Sequence, residues 1–259
     1  MINIEKIIKK FDEYVSNYSP DNERIKLKIE HIKRVAINSE IIAKSLNLSQ
    51  DDINLAIAIG YFHDIGRFEQ VRIANTFSDR DSKINHGEQS VKVLFENNFI
   101  REFIEDAQYD DIIKIAVLNH NKAHIDDNLS EKALLFSKII RDADKLDIYN
   151  TITLENYTNE AIFWYDDFTC SEINEEMLND FINNHFCYYS KVKNNADVCL
   201  CFFAYIFDLN FAISYKIISD KKYLERFTDR AKRAFKSSKI NEQLDYILQE
   251  CNSYLNTKI

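Results

Sequence analysis

The chain is expected to be all-α, and three observations carry that expectation. It holds only 3 Gly and 1 Pro in 259 residues, and a sheet-rich fold spends many such residues on tight turns. Apolar residues recur at helical spacing, as in Ile4, Ile7, Ile8, Phe11 and Val15. Capping sequences stand in front of apolar runs, in Ser49-Gln50-Asp51-Asp52 and Asn85-His86-Gly87-Glu88.

The elements follow in order. A first helix covers residues 2–17. Pro20, between Ser19 and Asp21, ends it and starts the next. From Glu23 to about Leu46 one face reads Leu27, Val35 and Ile42, and His31 lies on it. Ser49 caps a helix over Ile53 to about Asp64 that is apolar almost all round, and such a helix is buried on most sides. It ends in His63-Asp64, with Gly66 as its stop. Residues 67–85 are charged and without clear periodicity (Arg67, Arg72, Asp79, Arg80, Asp81, Lys83). They read as a long loop with at most a short helix, and loops this long are usually functional. Asn85 caps a helix that begins at His86. A further helix over Asp110 to Asn119 leads to His120. Ser130 caps another, running through Phe136 and Ile140 to Arg141-Asp142-Ala143-Asp144-Lys145-Leu146-Asp147.

After residue 150 helical periodicity continues, without a repeat or a Gly/Ser linker. The organisation expected is a domain over 1–150, with its core at about 24–150. A helical extension over 151–259 would pack as part of the same globule.

Charge and cysteine usage narrow the class. A net charge of -9 argues against a nucleic-acid polymer, whose affinity comes from Lys and Arg against phosphates. It leaves a small phosphorylated ligand open. The charged start Met-Ile-Asn-Ile-Glu-Lys is unlike a signal peptide, and no run of about 18 apolar residues suggests a membrane span. Five Cys, an odd number, fit reduced thiols in a cytoplasmic protein.

The chemistry lies in the histidines. His31, His63, His86 and His120 each sit at the end of a helical run or on its apolar face. A buried imidazole needs a partner, and a shared metal cluster supplies one for all four. Helix geometry sorts the acidic candidates. Asp144 shares a face with Ser137 and Ile140, on the core side. Asp142 shares a face with Lys138 and Lys145, on the solvent side. Asp144 is therefore taken as the ligand, with Asp142 as the alternative.

The ordered set of His31, His63-Asp64 and Asp144 (in Ala-Asp-Lys-Leu-Asp) resembles the HD-domain metal-dependent phosphohydrolase superfamily over roughly residues 24–150. His86 and His120 resemble the additional ligands of its dinuclear subgroup. The resemblance implies an all-helical fold. It implies that His31, His63, Asp64 and Asp144 hold one metal, and that Asp64 bridges to a second held by His86 and His120. Imidazole-rich sites favour one or two divalent Fe, Mn, Co, Ni or Zn ions over Mg. Such a site can make water nucleophilic near neutral pH and clamp phosphate oxygens.

Positive charge is then needed around those oxygens. Arg67 and Lys122, each within three residues of a ligand, are the first candidates, ahead of Arg72, Arg80, Lys83 and Arg141. His124 could serve as a leaving-group acid or a competing ligand if its helix continues past His120. Glu69 is a second acid/base candidate. The segment Asn121-Lys122-Ala123-His124 lacks the Gly-Tyr-Pro signature of cyclic-di-GMP phosphodiesterases, and His63-Asp64 is not followed by the acidic pair of alarmone hydrolases. A general phosphohydrolase or phosphodiesterase remains, acting on a small phosphate ester or anhydride, with nucleotides favoured and a homodimer as a further expectation. The competing readings are a di-iron oxygenase of the same fold and a nucleotide-binding regulator without turnover.

Overall fold

Ser49, Asn85 and Ser130 start helices where the sequence places them. The computed structural model describes all residues except 1, 20, 156–157, 159–161 and 166. In it the Ser49 hydroxyl accepts from the Asp52 amide at 3.2 Å. Asn85 Oδ1 accepts from the Gly87 and Glu88 amides at 3.0 and 3.2 Å, and the Ser130 hydroxyl accepts from the Ala133 amide at 3.2 Å. Each cap satisfies amides that the first turn leaves without an intrahelical partner. The helix break expected at Pro20 lies outside the described residues.

Among the described residues there is no strand, and the fold is all-α. The helices are α1 (Ile4–Val15), α2 (Glu23–Ser45), α3 (Gln50–Phe62), α4 (Gly66–Ala74), α5 (Asp79–Ser82), α6 (His86–Phe95), α7 (Ile100–Phe103), α8 (Asp110–Asn119), α9 (Glu131–Thr153), α10 (Glu175–Asn184), α11 (Asn195–Ala204), α12 (Ala212–Lys221), α13 (Tyr223–Ala234) and α14 (Ser238–Asn256). None of these helices is long and apolar enough to cross a membrane. The chain divides into two units, Met1–Asp147 and Ile148–Ile259.

In the first unit, α3 is buried on nearly every side, from Ile53 through Phe62. It lies so close to α2 that a Cβ on Gly60 would stand 2.6 Å from the Ala36 Cα. The end of α9 lies along α2, where Asn38 Nδ2 donates to the Ala143 carbonyl at 3.1 Å. The second unit is built around α11, whose residues are all buried. Cys187, Cys199, Cys201 and Cys251 are free buried thiols, and His185 stacks on Phe207 with ring centres 4.1 Å apart.

The segment after His63-Asp64 differs from the expectation in two ways. Residues 66–74 form α4, not loop. Gly66, Phe68, Gln70 and Val71 are its buried positions, and a single buried Gln among charged neighbours hides the apolar period that sequence reading relies on. Gly66 is the first residue of α4 rather than the stop of α3. It permits contact with α6: a Cβ there would lie 2.4 Å from the Ser90 backbone nitrogen and 2.6 Å from the Gln89 carbonyl carbon. The Gly66 amide donates to the Ser90 hydroxyl at 2.9 Å.

Gly66→Ala is therefore expected to force two backbones apart and to destabilise the protein by roughly 1–3 kcal/mol. Urea denaturation checks this, and a midpoint equal to that of the wild type would contradict the close-contact role.

Candidate metal centre

Two histidines of the site finish their own helices. His63 is the C-cap of α3 and its Nδ1 donates to the Gly60 carbonyl at 2.8 Å. His120 is the C-cap of α8 and its Nδ1 donates to the Val117 carbonyl at 2.6 Å. A carbonyl can only accept, so Nδ1 carries the proton and Nε2 presents a lone pair. His86 opens α6, and its Nδ1 lies 2.6 Å from Asp79 Oδ2. His31, in the middle of α2, has Nδ1 2.7 Å from Asp147 Oδ2. All four rings thus turn Nε2 inward.

They converge on Asp64, which is buried with 3% exposure. Its Oδ2 lies 3.5 Å from His31 Nε2 and 3.6 Å from His63 Nε2. Its Oδ1 lies 3.7 Å from His86 Nε2 and 3.6 Å from His120 Nε2. One carboxylate therefore faces two imidazole pairs, one with each oxygen. Asp144, from α9, brings Oδ1 to 3.1 Å from His31 Nε2 and 3.8 Å from His63 Nε2. Two groups of three, His31–His63–Asp64 and Asp64–His86–His120, could each hold a metal ion and share Asp64.

The donor set fits a metal. His86 Nε2 and His120 Nε2 stand 3.0 Å apart, yet each ring has its proton committed to an acceptor on Nδ1, so neither can donate to the other. Asp64 Oδ1 is buried without a hydrogen-bond partner. Such a cluster of lone pairs is costly to bury unless a cation is shared among them. The separations suit ligands with bonds of roughly 2.0–2.2 Å to a common ion.

The titration of these groups follows from the same contacts. Burial lowers His63 to about 3. Burial, then the neighbouring Arg67 charge, lowers His86 to about 4, so both imidazoles are neutral near pH 7. His31 behaves differently. Burial and Lys28 push it down, but hydrogen bonds to Asp144, Asp147 and Asp64 outweigh them and carry it up to about 10. Burial also opposes charge on Asp64, but Lys28 and then His63 hold its carboxyl well below the usual range.

Several partners of the ligands were not singled out by sequence reading. Lys28 Nζ reaches Asp64 Oδ2 at 2.8 Å. Asp147 binds His31 and takes two guanidinium contacts from Arg34, at 2.5 and 3.1 Å. Asp79 joins His86 to Arg67, whose Nη1 lies 2.7 Å from Asp79 Oδ1. Gln70, fully buried, accepts from Arg67 and donates to Asp79 and Ser82, so it ties α4 to the segment that precedes His86. Helical spacing offers a signal for two of these, since Lys28 is three residues before His31 and Asp147 three after Asp144. Asp79 carries none.

The remaining candidates are placed as follows. Arg67 lies beside the centre, with Nε 3.5 Å from Asp64 Oδ1. Lys122 pairs with Asp126 at 2.6 Å and is half-exposed. Helix α8 stops at Asn119, so His124 does not share a helical face with His120, and it is exposed. Glu69 pairs with Arg72 at 2.5 Å and accepts from the Tyr18 hydroxyl. The hydrogen bond from Arg72 holds its carboxyl below the usual range. Arg72 and Arg80 sit on exposed pairs with Glu69 and Asp81. Arg141 is buried and donates to the carbonyls of Asn119, Lys122 and Ala123, which pins the chain next to His120.

Asp142 is fully buried rather than on a solvent side. The expected solvent face fails because Lys145 is itself buried, at 7% exposure. From Arg141 onward α9 is covered nearly all round, so charge does not mark its outer side.

Residues 29–149, just under half of the chain, match the family model described as the HD domain. This segment is thus similar to the HD domain, and its His/Asp cluster is consistent with the metal site of that domain. Comparison with curated proteins and with solved structures returns no match for the chain.

The metal-free protein is expected to be most stable near pH 6.5. A raised His31 stabilises below its unfolded value, and that contribution is lost as pH rises toward about 10. Lowered His63 and His86 stabilise above their unfolded values, and that contribution is lost as pH falls toward about 3 and 4 respectively. Each unmatched proton costs about 1.4 kcal/mol per pH unit. Thermal unfolding in a chelator across pH 4–10 checks the peak, and stability rising steadily from pH 6.5 to 9 would contradict it.

Proposed function

We propose that the protein is a metal-dependent phosphohydrolase or phosphodiesterase that cleaves a small phosphate ester or anhydride, with nucleotides as the favoured class. The observation that carries this reading is the pair of Nε2 lone pairs of His86 and His120, 3.0 Å apart beside the unpartnered Asp64 Oδ1. A mononuclear site at His31, His63 and Asp144 would have no use for them. In this reading His31, His63, Asp64 and Asp144 hold one divalent transition-metal ion, and Asp64, His86 and His120 hold a second. When bound, such ions supply a water that is nucleophilic near neutral pH and polarise the phosphate oxygens.

The chain's own residues do the positioning. Asp147 and Asp79 fix the rings of His31 and His86 from behind, which sets the angle at which Nε2 is presented. Arg67 supplies fixed positive charge at the edge of the centre. Its Nη1 is held by Gln70, Asp79 and the Phe77 carbonyl, and Nη2 has no partner among the described residues. A planar donor already held on one side suits a phosphate oxygen, because little further entropy is lost on binding. Lys122 and Glu69 hold other partners and His124 lies exposed, so no step is assigned to them.

The test is a metal-loaded activity screen across nucleotides, dinucleotides and simple phosphoesters, with elemental analysis of the same sample. The expected result is one to two transition-metal ions per chain and phosphate release from at least one class. Asp64→Ala is expected to abolish both, and His86→Ala to lose the second ion before the first. A chain that takes up no Mn, Fe, Co, Ni or Zn would overturn the reading. Oxygen consumption without phosphate release would replace it with oxidation chemistry.

A further inference from the structure

Lys28 carries an ammonium group that touches the metal-ligand set. It lies three residues before His31 on α2, so both side chains leave the same face. Its side chain is only 12% exposed, and Nζ stands 2.8 Å from Asp64 Oδ2. The same oxygen faces His31 Nε2 at 3.5 Å and His63 Nε2 at 3.6 Å. Asp64 Oδ2 is thus shared between a protein cation and the site of an exogenous one. On its other side the ammonium lies 5.3 Å from the ring centre of Phe77, and the Arg67 guanidinium lies 5.9 Å from the same ring. Phe77 is half-buried, in the segment between α4 and α5. Lys28 therefore has two favourable surroundings within reach of one side chain, a carboxylate inside the centre and an aromatic face next to it.

We propose that Lys28 is a resident counter-ion of Asp64 that metal binding displaces, and that the displaced ammonium becomes a contact for the phosphate of the substrate. This rests on the metal-centre reading above. Without metal, the buried Asp64 and the partly buried Asp144 are two anions within one cluster, and Lys28 offsets part of that charge. A divalent ion accepted by Asp64 Oδ2 meets a like charge at close range in a poorly screened interior, and the flexible lysine is the partner able to move. Beside Phe77 and Arg67 it forms a cationic edge to the centre, where an anionic substrate would arrive. Metal and phosphate binding are then coupled through one side chain, and the coupling is reciprocal.

The experiment uses the full chain, Mn(II) and inorganic phosphate. Mn(II) affinity is measured by chelator competition for the wild type and for Lys28→Met, which keeps the stem and removes the charge. Phosphate affinity is then measured on the Mn-loaded forms by calorimetry. The expected result is Mn(II) binding about 5-fold or more tighter in Lys28→Met, together with phosphate binding weaker by a similar factor. A lysine that merely props Asp64 in place would give the opposite, with weaker Mn(II) binding on its removal. Equal or weaker Mn(II) affinity, or unchanged phosphate affinity, overturns the proposal.

Should Lys28→Met fold poorly, the wild type alone provides the measurement. Acylation of Lys28 by an amine-reactive ester, followed by mass spectrometry, is expected to rise several-fold on Mn(II) loading. Unchanged or reduced labelling overturns the proposal. A wild type that binds no Mn(II) removes the metal-centre reading and this inference together. A wild type that binds it without the Lys28 effect removes only the inference.

Discussion

The structure of the first unit depends on one carboxylate whose two oxygens are each asked to serve a different pair of imidazoles. Asp64 lies buried between His31 and His63 on one side and His86 and His120 on the other. Burying a carboxylate and inward lone pairs together is unfavourable unless positive charge is brought in. The fold accepts that cost in stages. Helix ends fix His63 and His120 through their own carbonyls. Carboxylates on neighbouring elements fix His31 and His86. Lys28 offsets part of the charge from one side and Arg67 stands at the other. Five helices deliver six candidate ligands, and His63, His86 and His120 turn their Nδ1 protons outward to acceptors.

Much of this was legible in the sequence, and for local reasons. Capping residues such as Ser49, Asn85 and Ser130 act within one turn of where they stand, so their effect can be read without tertiary knowledge. The order of His31, His63-Asp64, His86, His120 and Asp144 on helix ends and faces was legible for the same reason. The helix over 66–74 was not, because its buried side includes Gln70, which packs inside by satisfying Arg67, Asp79 and Ser82 rather than by being apolar. The burial of Asp142 was not legible either. A face rule takes lysine as a sign of solvent, and Lys145 is covered. Asp79, close to His86 in sequence, carries no periodic signal because it lies on a four-residue helix.

The cations around the centre divide by what holds them. Arg141 and Arg34 are spent on the protein itself, the first on three backbone carbonyls and the second on Asp147. Arg72, Arg80 and Lys122 form surface ion pairs, which are worth little. Arg67 differs because its carboxylate partner, Asp79, also orients a histidine of the centre. Nearness in sequence to a ligand, which put Arg67 and Lys122 ahead of Arg72, Arg80 and Arg141, does not separate those two from each other. The number and kind of acceptors already occupied does.

Gly60 shows how tightly the two halves of the first imidazole pair are bound together. Its carbonyl takes the Nδ1 proton of His63, and its missing side chain lets α3 lie against α2, the helix that carries His31. A Cβ at this position would meet the Ala36 Cα at 2.6 Å and the Ala36 nitrogen at 3.0 Å, closer than the Ala36 Cβ at 3.2 Å. The obstacle is main chain, not side chain. No smaller residue at position 36 could relieve it, because glycine there would leave both atoms in place. In a genetic screen, a larger residue at position 60 would therefore have no suppressor at the position it touches. Relief would have to come from a shift of a whole helix, and with it of a histidine.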